Sequence, residues 1–392
     1  MLADPPGDRT DGRVRSDLPR VIAAYYRRYV LVRPSSDRCP MRVLLTGASG
    51  FIGTHVHQGL SAAGHDVLQV DLLLPSAHGE DAPTPAGVHR VDVRDADALA
   101  PLVGQVDVVC HQAAVVGAGI DAADAPAFAS HNDFGTAVLL ATMQATGCRR
   151  LVLASSMVVY GDGRYVCADH GTVVPPPRDP SDLEKGHFDC RCPVDGSVLS
   201  WGLVGEDAPL RPRSLYAASK LAQENYALAW SLASGGSVTA LRYHNIYGDG
   251  MPRDTPYSGV AAMFRSSLEA GLAPQVYEDG RQARDFVHVT DVAAANVAAV
   301  DHELPGFHPL NVCSGRPCTI GQIADRLAEL HGGAVPEVTG RFRPGDVRHV
   351  VADPARAADL LGFRAAISFE DGLAEFARAP LRAAVPTARP RV

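Results

Sequence analysis

Lysine is almost absent from this chain: of 36 Lys and Arg residues, only Lys185 and Lys220 are lysines. Positive charge is not in excess either. A net charge of -8 over 392 residues argues against a basic face for nucleic acid. No apolar run approaches the roughly 20 residues of a membrane-spanning helix, so no membrane partner is expected. The eight cysteines (Cys39, Cys110, Cys148, Cys167, Cys190, Cys192, Cys313, Cys318) are scattered through a long chain. That pattern fits reduced thiols in a cytoplasmic protein better than a disulfide framework. What the chain has in quantity is hydrophobic residues, at 46%. That is ample for one large α/β domain with a smaller lobe.

The first 40 residues are rich in Arg, Asp and Pro, and Met41 directly precedes the first strand pattern. Residues 21–32 read at most as a short basic helix, too charged for a signal peptide. This stretch is expected to be a disordered extension or a misassigned start, with a partner-binding arm as the alternative. Apolar strands are then expected at 42–45, 65–70, 88–91, 106–110, 151–155 and 237–243. Helices are expected between them at 53–63, 96–103, 125–146 and 215–233. Such alternation predicts a doubly wound parallel sheet with helices on both faces. It is interrupted at 161–213 by a polar insert rich in Pro, Gly, Cys and Asp. Residues 41–244 are thus read as the dinucleotide-binding domain, and 245–280 with 305–385 as a substrate lobe containing helices at 260–270 and 320–330. A strand at 285–289 within 281–304 is expected to return to the sheet.

Residues Thr46-Gly47-Ala48-Ser49-Gly50-Phe51-Ile52-Gly53 follow the first strand. Gly47 allows the tight turn, Gly50 a close approach of backbone to a pyrophosphate, and Gly53 close packing of helix on sheet. The helix N-terminus then offers free N–H groups to the phosphates. Asp71, 18 residues beyond Gly53 at the end of the second strand, is placed to accept hydrogen bonds from an adenosine ribose. A carboxylate there repels a 2′-phosphate, so the expected cofactor is NAD rather than NADP. Asp92, followed by Val93, is placed to contact the adenine or simply to cap the third strand.

Tyr216 and Lys220 lie one helical turn apart, on one face. A cation about 4–6 Å away can lower a tyrosine pKa by roughly 1–3 units, turning the phenol into a usable base. Ser155 and Ser156 end the fifth strand, where ligands meet a doubly wound sheet; a hydroxyl there can share a proton with Tyr216.

Taken in order, these segments resemble the extended short-chain dehydrogenase/reductases, in the nucleotide-sugar epimerase/dehydratase branch with its Rossmann fold, over about residues 41–375. The glycine loop matches TGxxGxxG, His111-Gln112-Ala113-Ala114 the family's H-x-A-A cofactor turn, and Asn132 its helix asparagine. Ser155-Ser156 with Val159-Tyr160-Gly161 resembles SS-x-x-VYG, which puts Ser156 in the catalytic Ser/Thr position. Tyr216 and Lys220 match YxxxK, with the lysine also holding the nicotinamide ribose. Arg242-Tyr243-His244-Asn245-Ile246-Tyr247-Gly248 and Arg284-Asp285-Phe286-Val287-His288-Val289 resemble substrate segments, in which Asn245 and Arg284 would meet the diphosphate. Arg343, Asp346 and Arg348 fall on the last substrate loop. The 4,6-dehydratases carry an Asp-Glu pair where this chain has Met157 and Val158. The resemblance therefore implies a 4-epimerase acting through a transient 4-keto sugar, with Tyr216 as acid/base. Residues 71–75 with His78-Gly79 look most like the dTDP-L-rhamnose-type branch. A nucleotide-sugar dehydrogenase or 4-ketoreductase, and a UDP-hexose 4-epimerase, stay open. By analogy, the helices near 125–146 and 215–233 would pair two copies into a homodimer.

In the insert, Cys167-x-x-His170 and Cys190-x-Cys192 bracket a Pro-rich loop, and Asp195 stands where a zinc knuckle would carry a further cysteine. Cys167, His170, Cys190 and Cys192 are the candidate ligands of one structural zinc, with Asp195 a further possible donor. A plain loop with reduced cysteines is the alternative.

Overall fold

The computed structural model describes residues 40–382 except 118, 120, 254–258 and 344. The expected basic helix at 21–32 lies outside the described residues. The first half alternates strands and helices as its apolar pattern demands. Its strands are β1 (Arg42–Thr46), β2 (Asp66–Asp71), β3 (Val88–Arg90), β4 (Val108–His111) and β5 (Arg150–Ser156). The insert supplies β6 (Arg164–Cys167), β7 (Gly171–Val173) and β8 (Ser200–Gly202), joined antiparallel in a small sheet of their own. The second half adds β9 (Ser237–Tyr243), β10 (Asn245–Tyr247), β11 (Gln275–Val276), β12 (Ala283–His288), β13 (Phe307–Val312), β14 (Pro317–Thr319) and β15 (Glu337–Val338).

Seven strands form the central sheet in the order β3-β2-β1-β4-β5-β9-β13, every neighbouring pair parallel. The chain winds outward from β1 in one direction, then returns through β4 in the other. The carboxyl ends of β1 and β4 therefore border a crevice where no connection crosses. Both faces of the sheet are buried, one side packing against the Phe51–Ala62 and Val289–Asp301 helices, the other against the Ala96–Val103, Gly135–Thr146 and Leu215–Ser234 helices. The long helix expected at 125–146 is continuous but carries a π-helical segment, Ala129–Phe134, in its first half.

One strand was misplaced by pattern. The segment expected to return to the sheet, β12, instead pairs with β10 and β14 in a separate three-stranded sheet of the lobe. The seventh strand is β13, which pairs with β9 at the sheet edge. Pro309 masks β13 in the sequence, because proline lacks the N–H a central strand needs; an edge strand tolerates it. A third apolar cluster, including Tyr247, Phe264, Phe286, Leu327 and Phe376, holds the lobe together.

Candidate active site

The glycine loop leaves β1 through Gly47, whose φ is +68°. A Cβ there would lie 2.6 Å from the Ala113 nitrogen, and one on Gly53 only 2.0 Å from the Gly47 carbonyl oxygen. Only glycine lets the loop, the helix and the turn after β4 come this close. Gly50 caps the Phe51–Ala62 helix without a side-chain acceptor, so first-turn N–H groups stay open to a ligand. The Asp71 carboxylate accepts the Ser49 N–H at 2.9 Å through Oδ2 and the Leu73 N–H at 2.8 Å through Oδ1. It is 8% exposed and lines a cavity of about 1090 Å³.

That cavity runs from the glycine loop to the lobe. Gly47, Gly50, Phe51, Ile52, Gly53, Asp71, Asp92, Val93 and Ala113 line its first half. Asp92 is held by a bidentate Arg94, which pulls its carboxyl below the usual range against the opposing effect of burial. The Ala113 N–H donates to Thr46 Oγ1, whose hydroxyl also meets His111 Nδ1 at 2.7 Å. Burial, aided by the Lys220 charge, drives the His111 pKa down to about 3, so this ring is neutral.

The two serines ending β5 part company. Ser155 donates to Glu224, which Arg242 grips with two bonds of 2.9 and 2.7 Å. Ser156 and Tyr216 both line the cavity, and the Ser156 hydroxyl lies close enough to act on the phenol. Tyr216 occupies the first turn of the Leu215–Ser234 helix, capped by Ser214. The Lys220 ammonium sits 6.0 Å from the Tyr216 ring centre and donates to the Ala154 carbonyl at 2.9 Å. Here the expectation of an acidified phenol needs correction. Burial raises the Tyr216 pKa, and the neighbouring Ser156 hydroxyl opposes the rise. Burial also pulls the Lys220 pKa down to about 8, against the carboxylates of Glu224 and Asp133. Desolvation is the largest influence on both groups.

Two more expected contacts take a different form. Asn132 is fully buried and does not line the cavity; it accepts the Val115 N–H and donates to the Val115 carbonyl and to Ser219. It positions the loop after β4. Lys220 likewise lies behind the cavity wall.

At the lobe end, Asn245, Arg284, Arg343 and Asp346 line the cavity. Asn245 Oδ1 has no hydrogen-bond partner among the described residues. Arg284 donates to the carbonyls of Ala283, Val347 and Arg348, and Arg343 lies over the Tyr277 ring. Arg348 does not reach the cavity. It is 1% exposed and bound by Asp189, Glu278 and Asp279, which makes it a structural ion cluster rather than a substrate contact.

Sequence reasoning missed Arg341 and Arg382, both in the cavity wall. Arg382 donates to the Ser49 and Gly50 carbonyls and to Thr54, clamping the glycine loop from the far end of the chain. No local motif marks it. Glu224 did carry a signal: Tyr216, Lys220 and Glu224 recur every four residues along one helix face.

In the insert, Cys167, His170 and Cys192 converge, but Cys190 does not join them. Cys190 is buried with Tyr165 in the insert's small apolar cluster, and Asp195 takes the fourth place.

A family model described as the NAD dependent epimerase/dehydratase family matches residues 43–189 and 202–313. The chain belongs to the NAD dependent epimerase/dehydratase family. It is 34% identical over 345 residues to a dTDP-L-rhamnose 4-epimerase of Burkholderia thailandensis, covering 85% of this chain and 93% of that protein. Its fold is similar to that of a Thermus thermophilus UDP-glucose 4-epimerase solved with NAD (TM-score 0.66, 30% identity, 86% of this chain and 98% of that one). A dTDP-glucose 4,6-dehydratase of Streptomyces venezuelae, solved with NAD, is similar at TM-score 0.67 and 26% identity (86% and 96% covered). The residues present fit the family's cofactor. A glycine cradle that any Cβ would fill, an uncapped helix start and a carboxylate held by two N–H groups are what a pyrophosphate and a ribose diol require.

Proposed function

We propose that this family member is a nucleotide-sugar 4-epimerase using NAD, with a dTDP-6-deoxyhexose such as dTDP-L-rhamnose as substrate. The observation that carries the reading is Tyr216 and Ser156 on the cavity wall, with the apolar Met157 and Val158 after Ser156 and, among the described residues, no carboxylate pair beside them. Dehydration needs an acid and a base next to the sugar; epimerisation needs only the alcohol's proton moved out and back.

In this reading Gly47, Gly50, Phe51, Ile52 and Gly53 hold the pyrophosphate, Asp71 the ribose diol, and Asp92 with Val93 the adenine. The Arg382 guanidinium donates to the Ser49 and Gly50 carbonyls and to Thr54, and the Asp71 carboxylate repels a 2′-phosphate, which supports NAD. NAD, when bound, supplies a reversible hydride acceptor and, in its oxidised form, a positive ring charge. Tyr216 then accepts the proton of the sugar 4-hydroxyl, assisted by Ser156, and later returns it. Lys220, behind the cavity wall, adds its charge behind the phenol. Arg284 and Arg343, with Asn245 and Asp346, embrace the diphosphate and sugar, and the volume lets the 4-keto sugar present its other face. The 34% identity to the dTDP-L-rhamnose enzyme supports the substrate.

Incubation with dTDP-L-rhamnose and, in parallel, UDP-glucose, without added NAD, tests the reading by NMR and absorbance at 340 nm. The 4-epimer of the dTDP sugar without net NADH is expected. Stoichiometric NADH, or a 4-keto-6-deoxy product, would overturn it.

The chain is further proposed to act as a homodimer through the 125–146 and 215–234 segments. Phe134, Tyr226, Leu228 and Leu232 are exposed on them, Leu232 by 79%. Light scattering should give twice the chain mass, and Tyr226→Glu with Leu232→Glu the single mass. A wild type of single mass overturns the dimer.

A further inference from the structure

The insert carries a second constellation, remote from the chemistry above. β6 and β7 form a hairpin whose register sets Cys167 opposite Gly171, with His170 in the turn. A second turn is closed by Cys192 N–H to the Ser197 carbonyl and Gly196 N–H to the Cys192 carbonyl, at 2.8 and 3.0 Å. The two turns face each other. Cys167, His170, Cys192 and Asp195 each present one ligand atom, all within 4.8 Å of one another.

The individual edges can be set against a real coordination shell. Zinc bonds of about 2.3 Å to sulfur and about 2.0–2.1 Å to nitrogen or oxygen place tetrahedral S···N and S···O edges at roughly 3.5 Å, and an N···O edge at roughly 3.4 Å. His170 Nδ1 lies 3.3 Å from the Cys167 sulfur and 3.5 Å from the Cys192 sulfur. Asp195 Oδ2 lies 3.9 Å from the Cys167 sulfur and 3.5 Å from His170 Nδ1. The other carboxylate oxygen, Oδ1, accepts the Ser197 N–H and hydroxyl at 2.9 and 2.7 Å, which turns Oδ2 toward the thiols. Ligand orientation by such an outer contact is a regular feature of metal sites.

We propose that Cys167, His170, Cys192 and Asp195 bind one structural Zn²⁺, which folds the insert into a brace for the substrate loop. Two thiolates and an imidazole in a tetrahedron suit zinc and not the hard cations that take oxygen shells. The insert needs such a staple. Its own core is Tyr165, Cys167, Cys190, Cys192 and Leu199, too little to order some fifty residues. The match to the family model passes over residues 190–201, the stretch bearing Cys192 and Asp195.

The brace is visible in the contacts. The Tyr165 hydroxyl accepts the His349 N–H at 3.0 Å, and Trp201 stacks on the His349 ring. Asp189 accepts Arg348 Nε at 2.9 Å. Arg178 donates to the Asp346 carbonyl at 2.7 Å and to the Phe188 carbonyl at 3.0 Å. Residues 346–349 are thus held from one side by the insert.

Metal content of the full chain, purified under reducing conditions without added metal and measured by inductively coupled plasma mass spectrometry, is the test. About one zinc per chain is expected. Cys190→Ser should keep the zinc and Cys167→Ser should lose it. Because Cys167→Ser can also unfold the insert, Asp195→Cys provides a gain: a third thiolate should slow zinc loss to a chelator by at least tenfold. No metal, iron in its place, or loss of zinc in Cys190→Ser overturns the assignment. Hydrogen exchange tests the brace. Stripping the metal should speed exchange at residues 345–350 as well as at 164–201; change confined to 164–201 overturns it. None of these readouts depends on the epimerase reading.

Discussion

Tyr216 carries the most chemistry and is also the residue whose state the sequence describes least well. Spacing alone puts a lysine one turn away and implies an acidified phenol. The folded chain instead buries both groups, so the phenol keeps its proton and the ammonium is the one weakened, to about 8. The positive ring charge of bound NAD would favour the phenolate at this position. Removing the hydroxyl should remove the proton path: Tyr216→Phe is expected to lower kcat by about 10³-fold or more, and Ser156→Ala by about 10²-fold, with NAD content unchanged. Steady-state kinetics alongside cofactor extraction checks both. Lys220 yields a second outcome with a definite sign. Its folded pKa, about 8, lies below the ordinary 10.5. Between those values the unfolded chain holds a proton that the folded chain has released, so stability contributed by this site rises with pH across that window. Below about 8 the full penalty of a buried charge stands, on the order of 3 kcal/mol. Lys220→Met should thus raise the unfolding midpoint at pH 7 while abolishing turnover, and the gain should shrink as pH approaches 10.5. Calorimetry at both pH values decides it; an equal shift at each would sink the account.

Elements were legible wherever one physical signal dominated. The β-α alternation through β5 and the glycine turn out of β1 follow from period and from steric need, and the structure reproduces them. The reading failed where pairing partners decide. β12 looks like any buried strand, and nothing local says that it joins β10 and β14; β13 hides behind Pro309 and is admitted only because it lies at the edge. Side-chain roles failed in the same way. Arg348 shares a loop with Arg343, yet carboxylates from two distant segments capture it. Glu224 and Arg242 show what such long-range pairing does. They join the Leu215–Ser234 helix to β9, and through Ser155 to β5, beneath the carboxyl ends where the cavity opens. Both side chains are about 2–3% exposed. Arg242→Met leaves a buried carboxylate uncompensated and should cost roughly 3–5 kcal/mol, read as a lower urea midpoint. Adding Glu224→Leu should recover part of that loss; a double variant no better than the single one would show the pair to be independent.

At the scale of the whole molecule, the cavity is assembled from parts that are far apart in the chain. The glycine loop near the start is clamped by Arg382 near the end, and residues 350–351 join β12 to the insert, the Val350 N–H donating to the Ala283 carbonyl and the Val351 carbonyl accepting the Val204 N–H. The insert, which breaks the α/β rhythm at residue 161 and reads as an interruption in sequence, packs against that last segment. Arg178 is the clearest link. Its side chain is 8% exposed, pairs with Glu278 at 2.8 Å and reaches the Asp346 carbonyl, yet it does not line the cavity. A hydrogen bond from a charged guanidinium contributes about 1.5–3 kcal/mol, and less where its acceptor is exposed as here. Part of that should appear as order in the loop that carries Arg343 and Asp346. Arg178→Ala is therefore expected to raise KM for the sugar nucleotide by about tenfold, leaving the amount of co-purified NAD unchanged, because the glycine loop lies at the other end of the cavity. If KM stays at its wild-type value while the variant remains folded, the insert is a passenger on the substrate loop and the coupling argued from these contacts is absent.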